Sequence, residues 1–169
     1  MSRIASMGGV LLLLGFGGGV APESSQTCRP VPHAQLEALL PVVPGFTRGQ
    51  AAGETDNQEA VSRVTVDCES GAATISVEFM DTCRNADMLS QLREWLKGGA
   101  PRTRGTVVRT LQVRGFPAYE EWTAETQHSE IHVLVADRFT VKVTGDLVNL
   151  PPVQTAAQAI DLQKMATLK

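Results

Sequence analysis

His128-Ser-Glu130-Ile-His132 is the run whose residue types could do chemistry. On one extended strand, side chains two apart share a face, so His128, Glu130 and His132 would stand together. Two imidazoles and a carboxylate are donors that zinc accepts. The competing expectation is a hairpin tip: Gln127-His128-Ser129 reads as a connection, and its polar groups would then face water.

The other reactive groups are less organised. Glu120, Glu121 and Glu125 lie near Tyr119 and Trp122, and Asp81 and Asp87 flank Cys83. Paired carboxylates can act as acid and base, but Glu120 and Glu121 are neighbours on a strand and point to opposite faces. They are expected to be solvated. Tyr119 and Trp122 also fall on opposite faces, so one can line a binding face while the other packs inward. The chain contains no Gly-x-Ser-x-Gly elbow, no Cys-x-x-Cys pair and no phosphate loop. Nothing in it calls for a cofactor.

The three cysteines, Cys28, Cys68 and Cys83, are an odd number. Cys68 is read beside a hairpin turn, opposite about Ala73. Cys83 then lies some ten residues further on, or ~30 Å at about 3.3 Å per residue. A disulfide needs Cα atoms within ~7 Å, so that hairpin forbids a bridge between Cys68 and Cys83. Cys28 can reach either. The alternatives are three free thiols, or a lipid on Cys28, although Ser25-Gln-Thr-Cys28 is a poor lipidation signal.

Compartment follows from the N-terminus. Arg3 precedes the uncharged run Met7 to Ala21, which is shorter than the about twenty apolar residues of a spanning helix and is weakened by Gly15 and Gly17 to Gly19. It has the form of a secretory leader, so 1–21 is taken as a signal peptide, with an uncleaved anchor as the competitor. The chain has 15 Lys and Arg against 18 Asp and Glu, a net charge of −3. Loss of Arg3 with the leader makes it −4. Arg102, Arg104, Arg109 and Arg114 form the densest basic stretch, too sparse for a phosphate-neutralising face, so nucleic acid is excluded as a partner. Membrane association is expected only through an uncleaved leader or a lipidated Cys28.

The elements that must position these groups come from periodicity. Residues 22–32, with Pro22, Pro30 and Pro32, read as an unpacked linker, and 33–169 as one domain. A helix is expected from His33 to Leu40, stopped by Pro41. A short strand follows at 46–50, and Ala51 to Asn57 reads as a mobile loop. Ala60 to Cys68 and Ala73 to Met80 alternate as a hairpin around Ser70-Gly71. Met88, Leu89, Leu92, Trp95 and Leu96 mark a helix from Arg84 to Leu96, with Asn85 or Asp87 as its cap. A four-strand meander is expected at 106–114, 118–126, 131–136 and 139–144. Pro151-Pro152 then breaks the chain before a last helix, Val153 to Leu168. Ile131 to Ala136 is apolar on both faces except at His132, as suits a central strand covered on both sides. The expected fold is α+β: an antiparallel sheet of about six strands, hairpin plus meander, with three helices packed on it.

Gly115-Phe-Pro-Ala-Tyr119, the hairpin Ile131 to Gly145 with its Val-Leu-Val and Arg-Phe-Thr-Val-Lys-Val-Thr-Gly segments, and the closing Ile160-Asp-Leu162 resemble small exported bacterial proteins of unknown function. Their layout is a PsbP-like α/β/α sandwich, and some are envelope lipoproteins. The resemblance covers mainly residues 106–169 and brings no catalytic residues. It implies an envelope-associated accessory protein, secreted or periplasmic, that binds a protein or small ligand. The alternatives are a metal-binding protein using His128, Glu130 and His132, a membrane-anchored lipoprotein, or a hydrolase without a visible motif.

Overall fold

Alternating valines build the sheet. The structure, a computed structural model, describes residues 28–99 and 104–169; the leader and residues 22–27 of the linker lie outside them. Val64, Val66 and Cys68 of one strand and Ile75, Val77 and Phe79 of the next point to the same side, and all are buried. These strands, β3 (Val61–Ser70) and β4 (Ala73–Asp81), follow α1 (His33–Glu37), β1 (Thr47–Arg48) and β2 (Ala52–Asp56). Then come α2 (Ala86–Glu94), a π-helical turn (Trp95–Gly99), β5 (Thr106–Val113), β6 (Phe116–Thr123), β7 (His128–Val135), β8 (Phe139–Asp146), α3 (Leu150–Ala159) and α4 (Leu162–Ala166).

The fold is α+β with one antiparallel sheet, ordered β1-β3-β4-β8-β7-β6-β5, with β2 also paired to β3. The described residues form eight strands and four α-helices, against the six and three expected. Ala52–Asp56, expected as a loop, is a strand because its backbone pairs residue for residue with Val61 to Thr65. Its side chains stay mostly exposed, so it carries no hydrophobic periodicity. The single closing helix is two helices. The backbone turns extended at Ile160, and the Asp161 carboxylate caps a new start by accepting from Lys164 N–H. Pro151 and Pro152 lie inside the first turn of α3, where their missing N–H groups are not needed.

Two apolar clusters cover the sheet. The main one joins α1, α3 and α4 to one face through Leu36, Val153, Ala156, Ile160, Leu162 and Met165. A smaller one on the other face joins Leu89 and Leu92 of α2, with Leu96, to Leu134 of β7. β7 is thus central and covered from both sides at its C-terminal end. Gly145 marks the closest helix approach: a Cβ there would stand 2.4 Å from Val153 and 2.7 Å from Val148.

The N-terminal segment is packed, contrary to its reading as a linker. Val31 is fully buried, and its N–H donates to Asp81 Oδ2 at 2.8 Å. Cys28 is bonded to Cys83. Cys68 is the free, buried thiol among the described residues. It stands opposite Ile75 rather than Ala73, because the hairpin turns on Gly71-Ala72.

Candidate functional site

The polar run sits on the α2 side of the sheet. His128 and Ser129 lie within β7 rather than in the turn, and the strand geometry brings His128, Glu130 and His132 onto one face. Glu130 is the centre. Its Oε2 is 2.8 Å from His132 Nε2, and its Oε1 is 3.0 Å from Lys142 Nζ and 3.4 Å from His128 Nε2. The other ring nitrogen of His128 is 2.7 Å from Asp146 Oδ1. Lys142 and Thr144 come from β8, where register sets them opposite His132 and Glu130.

The hydrogen bond from His132 is the largest influence on Glu130. With the Lys142 contact it outweighs burial and draws the carboxyl down to about 2. Burial works against protonation of His128, but the hydrogen bond to Asp146 and the charges of Asp146 and Glu130 outweigh it and raise its pKa. Tyr119, opposite His132, donates its hydroxyl to Glu121. Burial first, then Glu121, pushes the phenol well above its ordinary range. Trp95 closes the group: its ring lies 5.2 Å from Tyr119 and edge-on 5.7 Å from His132.

The arrangement holds an ionised carboxylate under three basic groups. A carboxylate so stabilised cannot give a proton near neutral pH. The two imidazoles that could ligate a metal aim Nε2 at Glu130 itself. Among the described residues, no group of three or more His, Cys, Asp or Glu is arranged to hold a metal ion.

Tyr119 and Trp122 do not share a face. Tyr119 is buried beneath Trp95. Trp122 is half-buried on the α3 side, and its indole N–H has no hydrogen-bond partner among the described residues. Glu120, expected in solvent, is only 2% exposed. It accepts from Arg109 Nε at 2.6 Å and from Gln154 Nε2 at 2.8 Å. A residue between two strands and beneath a helix is buried by the helix, which strand alternation alone cannot reveal.

A second polar cluster anchors the N-terminal segment. Asp81, fully buried, takes a two-pronged contact from Arg138 at 2.8 and 2.6 Å and accepts the N–H groups of Val31 and Cys83. Arg138 also donates to Arg29 O, beside the Cys28–Cys83 bridge. Of the residues missed from the sequence, Lys142 was the most accessible: a tight turn at Asp137 by itself sets it opposite His132.

Comparison with family models, with curated proteins and with solved structures returned no match for this chain.

Proposed function

We propose that this is an exported, envelope-associated accessory protein that works by binding a partner, without catalysis. The observation that carries this reading is the half-open α2 face of the sheet. Helix α2 covers the Leu134 end, and beyond it Glu78, Lys142, Thr144, Glu130 and Glu121 stand in cross-strand rows. Glu130 and Lys142 pair their charges diagonally between adjacent rows, so the side chains are held in place before any partner arrives. Such preorganisation favours recognition because less side-chain freedom is lost on binding.

Export is supported by the leader-like N-terminus and by the Cys28–Cys83 bridge, since disulfides persist in oxidising compartments. A sulfur in that bridge cannot also carry a thioether-linked lipid. The bridge therefore favours a free protein over a lipoprotein.

The test is a photo-crosslinking amino acid placed at Glu78 or Thr144 in the full chain, expressed in its host, with Glu37 on α1 as a control. A discrete adduct from the two sheet positions, absent from the control, is the expected result. Adducts from Glu37 alone, or none from any position, overturn the reading. Intact mass before and after reduction reports leader removal and the bridge in the same preparation.

A further inference from the structure

The sheet ends differently on its two sides. At one side it finishes in two short strands, β1 and β2, and β2 carries Glu54 and Asp56. Brevity and charge are the usual protections of a sheet edge. The other side ends in β5, which pairs with β6 over all eight residues without a bulge and has no strand on its outer side among the described residues. β5 contains no proline or glycine and a single charge, Arg109. Its Val107 is 56% exposed.

A cleft opens beside this edge. Leu111 and Val113 of β5, Ile131 of β7, and Gln154 and Gln158 of α3 line it, and its volume is ≈ 220 Å³. The wall is aliphatic at the sheet and amide at the helix. A free edge with a pocket for one side chain between strand and helix is the geometry by which an added strand is recognised: backbone pairing supplies affinity and the pocket supplies selectivity.

Charge decides what kind of strand fits. The chain has no acidic residue between Glu94 and Glu120, while Arg104, Arg109 and Arg114 are spaced along β5. All three are exposed. Arg109 is shared with Glu120, which leaves Arg104 and Arg114 at the two ends as the main attraction. Self-pairing is disfavoured by the same spacing. An antiparallel pair of β5 strands centred on Arg109 sets Arg109 against Arg109 and Arg104 against Arg114, and like charges directly opposite destabilise a ladder.

We propose that the outer edge of β5 takes an extended, acidic segment of a partner protein as an added strand, with one aliphatic side chain seated in the cleft between β5 and α3. This surface is separate from the α2 face. It shares with the function proposed above only that the protein acts by binding, and its test needs no envelope partner.

The test uses purified, leaderless, disulfide-bonded protein and short fluorescein-labelled peptides that alternate aspartate or threonine with leucine. Controls carry lysine for aspartate, or glycine for leucine. Anisotropy should show saturable binding of the acidic peptide, weakened by added salt, and at least about tenfold weaker binding of either control. Binding should slow amide hydrogen exchange in β5 and leave exchange in β3 unchanged. Gln158→Trp, at an exposed helix position, fills the cleft and should abolish binding. Arg104→Glu with Arg114→Glu should weaken it about tenfold and remove the salt dependence. Unchanged melting temperatures establish that both variants fold. Equal binding of acidic and basic peptides, binding indifferent to Gln158→Trp, or no saturable binding at all overturns the proposal. So does a concentration-dependent dimer with β5 protected in the absence of peptide, which would assign the edge to a second copy of the chain.

Discussion

Single residues hold the two polar clusters in place, and their protonation sets measurable pH behaviour. Glu130 has its carboxyl lowered from 4.5 to about 2. A depressed carboxyl contributes stability that is present above its unfolded pKa and lost as pH falls towards its folded one. Melting temperature should therefore drop between about pH 4.5 and 2, and Glu130→Gln should flatten that segment, with a loss of about 1–2 kcal/mol at neutral pH once solvent screening is allowed for. His128 has the opposite sign. Its folded pKa is raised above 6.5, so its contribution is complete below that pH and fades as pH rises through the raised value. His128→Gln should remove the decline, and an NMR titration of the ring protons reads the shift directly. Asp81 is a different case, because it is fully buried and neutralises Arg138. Asp81→Ala strands that guanidinium and two backbone N–H groups, and should cost about 3–5 kcal/mol in urea unfolding.

Elements respond to packing more than to charge. Gly145 lies in β8 where α3 crosses, with φ in the ordinary extended range, so space rather than backbone freedom explains it. Gly145→Ala drives a methyl into Val153 and Val148. It should destabilise by about 1–3 kcal/mol, with chemical-shift changes centred on α3, Val148 and the adjoining ends of β7 and β8. The hairpin of β3 and β4 and the helix α2 were legible in the sequence because each buries one face at a regular period. Asn85 caps α2 by accepting from the N–H groups of Asp87 and Met88. β2 was illegible because it is an edge strand that buries little. The break at Ile160 was illegible because both halves bury apolar residues on one face.

At the scale of the molecule, the Cys28–Cys83 bridge and the Asp81 cluster tie the N-terminal segment to the end of β4. The bridge joins residues 55 apart in sequence, which restricts the unfolded chain. The domain also buries a large core, so reduction should leave it folded but less stable. Cys28→Ser with Cys83→Ser should lower unfolding free energy by about 2–4 kcal/mol, followed through Trp95 and Trp122 fluorescence, with the native spectrum retained before the transition. Cys68 should resist thiol reagents in the folded state, since burial raises its pKa and shields the sulfur.

Sequence alone determined the α+β class and the antiparallel hairpins and narrowed the cap of α2 to Asn85 or Asp87, because each follows from local periodicity or from a turn; the structure put His128 in β7, on one face with Glu130 and His132. For the cysteines the sequence left a bridge from Cys28 to Cys68 or Cys83, three free thiols, or a lipid on Cys28. Only the tertiary structure chose Cys83 and made Glu120 a buried residue. It alone placed Trp95 against His132 and left β5, among the described residues, without a strand on its outer side. These depend on which strands become neighbours and which face a helix covers, and such long-range choices are made by the whole core at once.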